Sequence, residues 1–543
     1  MKKIEELIKK GKIEDALKIA TKKDVSFLNK IGIELCKKSE FSDAIKLFTK
    51  IIELNSKDAE AYYNRGMTYS DKEEYDKAIE DFNEAIKLDP KDATAYDIRG
   101  LAYSNKKQYD KAIYDYSKAI KLDPKDATAY KNRGVAYSNK RQYKKAIEDF
   151  NEAIQLDPKY SKAYNNRGIA YFKDHQYDKA IEDFNEAIQL DPKDAGNYFN
   201  RGFAYWIKRQ YNEELKDYTK AIKLNPKYTE AYYNRGNTYS YDEQYKKAIE
   251  DYTKAIKLDP KDVYKYIDRG EAYSYDGQHK KAIEDYTKVI ELDPEFAIIY
   301  NYRGNAYYKL KQYKMAIDDF SKAMDGEDES AHIGKGLVYK KLMLYDNALK
   351  CFEKAIELDP EDEEAYNHRG TIYADLKQYD EALKCFEKAI ELNPNYAAAF
   401  NNRGIVYYEK GNTEKAKEDF NNAITADSKH DKAQNNLKEL EKISDGGAVN
   451  WWDWWSQDFV KAFIGGSLGS ILILFIFMGT TKDLYLGEPV EYSTVILIGI
   501  IAFILLFPQI KTVKLGSVAL EREEGIERSV KKHRNEKSPM QSS

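Results

Sequence analysis

The spacing of apolar and small residues along positions 25–430 repeats a single pattern. Within 59–92, Tyr62, Gly66 and Tyr69 recur at steps of four and three, which places them on one helix face. Ala78, Phe82 and Ala85 do the same on a second face, and the polar stretch 71–74 between the two stripes reads as a turn. Asp89-Pro90 closes the unit, because the residue before a proline is pushed out of the α region. The pattern predicts helix, turn, helix. Its glycine returns as Gly32, Gly66, Gly100, Gly134, Gly168, Gly202, Gly236, Gly270 and Gly304 at intervals of 34, then as Gly336, Gly370 and Gly404 after one interval of 32. These are twelve in-phase copies, the signature of a repeat array.

Small residues at Gly66 and Ala78 let two helices approach closely, and the aromatics fill the remaining space. Most of the 47 tyrosines are explained this way: Tyr103, Tyr137 and Tyr171 hold one repeat position and Tyr75, Tyr109, Tyr143 and Tyr177 another. The first copy has Leu28 and Leu35 for the aromatics and Ser56 for the proline. The ninth loses two residues and its proline near 325–328, predicting a local break in the stack. A helix at 4–20, within an N-terminal cap at 1–24, and another within 431–444 are expected to close the two ends with polar surface.

An aromatic, Gly, Tyr, Ala, Phe, Ala and Pro in this order within 34 residues resembles the tetratricopeptide repeat (TPR). The resemblance spans 25–430 and implies an all-α, right-handed superhelix of about twelve helix-turn-helix units. It also implies a concave groove, lined by the first helix of each unit, that binds a protein or an extended peptide. Two residues before the glycine lie Asn64, Asn132, Asn166, Asn200, Asn234 and Asn402. An amide offers two donors and an acceptor, so such a series suits the backbone of an extended peptide. It is similar to the asparagine ladder in the TPR groove of O-linked N-acetylglucosamine transferases. The competing reading is that these amides satisfy groups of the neighbouring repeat. Ile98, Asp268, Tyr302, Gly334 and His368 interrupt the series, so recognition should centre on 132–234. The next residue is usually Arg (Arg65, Arg133, Arg167, Arg201, Arg235), where inter-repeat pairing with Asp or Glu is expected. Lys131 and Asn166 are fragments of the carboxylate clamp known from some TPR proteins, but Val135 stands where that clamp wants Asn.

The composition changes after 444. A linker at 445–458 contains Trp451, Trp452, Trp454 and Trp455, residues that suit a bilayer interface. Two uncharged stretches follow, 462–481 (within a first span of 459–481) and 492–510, of 20 and 19 residues. Each is long enough to cross a hydrocarbon core of about 30 Å as a helix. They predict a transmembrane hairpin with a short external loop at 482–491 and a tail at 511–543. Basic residues concentrate in the tail (Lys511, Lys514, Arg522, Arg528), whereas the loop has Lys482 alone. The positive-inside rule then places the repeats and the C-terminus in the cytoplasm, as a two-span protein of the cell membrane. Gly465 and Gly469 form a GxxxG motif for packing of the spans against each other or in a homodimer.

Lys and Arg (88) nearly balance Asp and Glu (92), for a net charge of −4, which gives no basic footprint for nucleic acid. Cys36, Cys351 and Cys385 form no CxxC pair, arguing against a disulfide framework or a zinc ribbon. The N-terminus lacks the apolar stretch of a secretory signal. The six histidines are scattered, and no HExxH, GxSxG or Walker segment occurs, so neither catalysis nor a cofactor is expected. The expected function is a membrane-anchored scaffold. The alternative is a channel or translocation subunit whose spans oligomerise, although the spans carry no charged residue to line a water path.

Overall fold

A computed structural model of the chain describes residues 2–324 and 328–444. Among these the regular elements are helices, and they divide between two compact units, Met1–Ala272 and the part beginning at Tyr273. The expected hairpin at 459–510, the Trp451, Trp452, Trp454 and Trp455 cluster, Gly465 and Gly469 all lie outside the described residues. Among the described residues no helix is long and apolar enough to cross a membrane.

The first unit opens with α1 (Lys2–Lys9) and α2 (Ile13–Ile19). Seven hairpins follow: α3 (Val25–Lys37) with α4 (Phe41–Leu54), α5 (Ala59–Asp71) with α6 (Tyr75–Leu88), α7 (Ala93–Asn105) with α8 (Tyr109–Leu122), α9 (Ala127–Asn139) with α10 (Tyr143–Leu156), α11 (Ser161–Lys173) with α12 (Tyr177–Leu190), α13 (Ala195–Ile207) with α14 (Tyr211–Leu224), and α15 (Thr229–Tyr241) with α16 (Tyr245–Leu258). α17 (Val263–Tyr275) then crosses the boundary. The second unit holds α18 (His279–Leu292), four hairpins, α19 (Ile298–Lys309) with α20 (Tyr313–Ala323), α21 (Glu329–Lys341) with α22 (Tyr345–Leu358), α23 (Glu363–Asp375) with α24 (Tyr379–Leu392), α25 (Ala397–Glu409) with α26 (Thr413–Ala426), and a last helix α27 (Asp431–Ser444). Helices α3 to α26 fall on the twelve copies read from the glycines. The N-terminal cap differs from expectation: it is two helices, because Gly11 adopts a left-handed φ of 71° and turns the chain between them.

Local chemistry sets these boundaries. In six hairpins (α5, α7, α9, α13, α21 and α23) the first helix starts at an aspartate whose side chain accepts from the backbone of the first turn, as in Asp92 with the Thr94 N–H at 2.9 Å. The turn inside each hairpin places one residue at a left-handed φ near 60°, among them Glu73, Lys107 and Arg141, with Gly277 and Gly411 filling the same position. Backbone bonds secure it: Glu73 N–H to Ser70 O and Glu74 N–H to Tyr69 O, both 2.9 Å.

The core repeats with the sequence. Phe82, Phe150 and Phe184 are fully buried, and a Cβ on the glycine opposite each ring would lie about 2.7 Å from it. The glycine is required by that close approach, not by its backbone angles. In the second unit residues 325–327 of the expected break near 325–328 lie outside the described residues, but its flanks are shown. α20 stops three residues earlier than its counterparts, and α21 still packs on it. Phe320 is enclosed by Gly304 on one side and Gly334 on the other, so the asparagine series is interrupted at 334 because no larger residue fits there.

Candidate peptide-binding face

In the first unit each repeat arginine from Arg65 to Arg235 ties three helices together. Arg133, on α9, meets both carboxylate oxygens of Asp149 on α10, and its third nitrogen donates to Ser117 Oγ on α8 at 3.1 Å. Arg65, Arg99, Arg167, Arg201 and Arg235 repeat the arrangement, each with an aspartate 16 residues later and a Thr or Asn side chain 16 residues earlier. The ionic partner therefore lies within the repeat, and only the neutral contact crosses to the preceding one, where the sequence had suggested inter-repeat ion pairs. A tyrosine three residues before each arginine stacks over the guanidinium, as Tyr130 does over Arg133 at 5.7 Å. These arginines are framework and are not free for a ligand. In the second unit Cys385 takes the aspartate position and receives the Arg369 N–H at 3.4 Å; Cys351 and Cys385 are free buried thiols.

The asparagines separate into two groups according to the residue 35 positions earlier, on the preceding first helix. Asn64 donates to Asn29 at 2.9 Å, Asn132 to both oxygens of Asp97 at 3.1 and 3.2 Å, and Asn200 to Asn165 at 2.9 Å. In the second unit, buried Asn402 donates to Asn367 at 3.0 Å, and Asn436 on α27 continues the series to Asn401 at 2.9 Å. Asn166 and Asn234 differ. Both are half-buried, and their side-chain amides have no hydrogen-bond partner among the described residues. The cause is chemical: Asn234 faces the position of Phe199, which has no polar atom. Asn166 faces that of Lys131, whose ammonium instead donates to Asn132 Oδ1 at 2.5 Å. Burial pushes the Lys131 ammonium below its ordinary pKa and the Asp97 carboxyl above its own.

Beside Asn166 lies an apolar cluster that the sequence reading did not single out. Ile169 and Phe172 follow it along α11 at steps of three, and across on α13 Phe203 lies 5.3 Å from Phe172 and stacks on Trp206 at 5.5 Å. The signal was present. Ser70, Ser104, Ser138 and Ser240 hold the position that Phe172 and Trp206 occupy in these two repeats. Unpartnered amides and the partly exposed rings of Phe203 and Trp206 thus share one stretch of the first-helix face, from α11 to α15. This arrangement can bond an extended backbone and receive an apolar side chain. Among the described residues no cluster of metal-ligating side chains occurs.

Family models described as TPR repeat or tetratricopeptide repeat match 59–92, 100–194, 207–262, 270–311 and 330–430, more than half of the chain. No curated protein matches. Among solved structures, YrrB, described as a TPR protein with an unusual peptide-binding site, is 34% identical over 34% of this chain and 97% of its own, with a TM-score of 0.28. MamA from Desulfovibrio magneticus RS-1 is 24% identical over 32% of this chain and 98% of its own, with a TM-score of 0.30. Yeast Tom70 is 18% identical over 82% of this chain and 99% of its own, with a TM-score of 0.38.

Proposed function

Because the chain belongs to the tetratricopeptide-repeat family, we propose that it is a non-catalytic scaffold that holds an extended segment of a partner protein on the first-helix face of the first unit. The observation that carries this reading is the pair of unpartnered amides, Asn166 on α11 and Asn234 on α15. They flank Asn200, which is already bonded to Asn165. A β-like peptide exposes its own N–H and C=O groups at regular intervals, and two amides with free donors and acceptors can pair with them. Phe203 and Trp206, on α13 between the two amides and backed by buried Phe172, supply an apolar anchor, the kind of contact that dominates binding energy in recognition surfaces. Asn64, Asn132 and Asn402 of the original series serve the joints between repeats.

The apolar stretches at 462–481 and 492–510 support a further part of the reading: a membrane hairpin that keeps the scaffold at the inner face of the cell membrane. Alkaline carbonate extraction tests it. The full chain should remain with the membrane pellet, while a chain ending at Ser444 should be released; release of both sinks the anchor. Binding is tested by a photo-crosslinking residue at 206 in the full chain. A partner crosslink that weakens at least tenfold in Asn166→Ala/Asn234→Ala, and persists in Asn132→Ala, supports the face. Equal crosslinking in all three overturns it.

A further inference from the structure

Helix α14 carries an exception. Its third turn-facing small position is alanine in the other eleven copies, from Ala44 to Ala416, and each of these is fully buried. In α14 that residue is Glu214, 1% exposed. One carboxyl oxygen accepts from Thr238 on α15, and the other, Oε2, has no partner. A buried carboxylate with an unpaired oxygen is stable only when protonated or when a cation reaches it. None does. The charged and titratable groups around the seam are Arg209 and Tyr205 from the α13 side, Tyr211, Glu213 and Tyr218 on α14, and Tyr241 and Asp242 from α15. Arg201 is engaged with Asp217. Burial pushes the Glu214 carboxyl up to about 7, with Thr238 opposing.

The seam also lacks a tie that three other seams of the first unit have. At α6–α7, α8–α9 and α12–α13 a lysine at the end of the first helix reaches an aspartate on the preceding second helix: Lys106 with Asp76, Lys140 with Asp110 and Lys208 with Asp178. Across α14 and α15 the same two positions hold Asn212 and Asp242, and an open crevice runs between the helices, lined by Tyr205, Tyr211, Thr238 and Tyr241. Thr238 itself stands where Ala102, Ala136, Ala170 and Ala204 sit in the preceding hairpins.

We propose that the α14–α15 seam is a proton-controlled joint, closed while Glu214 is neutral and opened when Glu214 ionises and draws water through the crevice. The joint lies between α13, which carries Asn200, and α15, which carries Asn234, so opening it changes the spacing of the first-helix face. It stands independently of whether that face binds a peptide.

Hydrogen exchange of the full-length chain tests it, with rates corrected for intrinsic pH dependence and α9–α10 as the internal reference. Between pH 5.5 and pH 8, protection of α14 and α15 relative to α9 and α10 should fall by roughly tenfold or more. Glu214→Ala, which restores the residue of the other copies and so keeps the fold, should abolish the change, as should Glu214→Gln. A wild-type protection ratio that does not move with pH overturns the proposal. So does a pH-dependent loss that persists in both variants.

Discussion

Arg133 Nε and Nη2 lie 2.8 and 2.6 Å from the two carboxylate oxygens of Asp149, a forked pair in which the carboxylate is buried and the arginine side chain mostly so. Burial alone pushes the Asp149 carboxyl upward, and the guanidinium opposes it. Removing one partner strands the other. Arg133→Met should destabilise the α9–α10 hairpin by about 3–5 kcal/mol, read as lost hydrogen-exchange protection. Adding Asp149→Leu should recover most of that loss, because a packed apolar pair replaces a buried ion pair at little net cost. A double variant as unstable as the single one would show that the pair is not the source of the effect.

The Gly134 Cβ position lies about 2.7 Å from the Phe150 ring. Gly134→Ala should therefore destabilise by about 1–3 kcal/mol, although alanine is the better helix former. Phe150→Leu should rescue Gly134→Ala while harming the wild type. Denaturant midpoints of the four proteins check the sign of this coupling.

Asn402 is buried and donates to Asn367. Its replacement by Ala leaves a buried acceptor without its donor and should cost about 1–3 kcal/mol. Asn166→Ala removes an amide with no partner among the described residues and should change stability by less than about 0.5 kcal/mol. Thermal melts of the two variants side by side distinguish a joint from a recognition residue. Similar losses would remove the distinction drawn between them.

Glu214 predicts a pH dependence of stability as well as of local opening. Its folded value of about 7 lies above the ordinary 4.5. The folded state therefore retains the proton longer than the unfolded chain does. Stability is unaffected below pH 4.5, declines as pH rises toward 7, and levels off above it. At pH 8, Glu214→Ala should exceed the wild type by about 2–3 kcal/mol, and at pH 4.5 the gap should close. Parallel stability curves for the two proteins across this range would contradict the assignment.

The repeats were legible because a 34-residue period forces the same side chains into the same contacts, and Gly66 with Phe82 recurs as a matched pair down the chain. The arginine cross-tie was half legible. The residue type pointed to a carboxylate, but a helix face seen from sequence does not say whether Asp81 or a neighbour's acid is within reach of Arg65. The asparagines were the hardest to read, since six identical residues have two roles. Pairing each with the residue 35 positions earlier separates them: Asn29, Asp97, Asn165 and Asn367 can accept a hydrogen bond, whereas Phe199 cannot. The Phe172 and Trp206 patch and Glu214 were overlooked for one reason. Attention to what recurs passes over the copy that departs from it, and in a repetitive chain the departures are where individual chemistry resides.

The arginine cross-tie also bears on how such an array grows. Its partners stand 16 residues behind and 16 ahead, the first in the preceding copy and the second within the same hairpin, as in Thr49, Arg65 and Asp81. A duplicated 34-residue segment brings its own aspartate and presents its own hydroxyl or amide to whatever copy follows. Insertion of a whole unit therefore creates a seam that is already complete, with no compensating substitution elsewhere. A gene encoding this chain can lengthen by unequal recombination in single in-phase steps and yield a folded product at each one, after which copies such as the sixth are free to diverge.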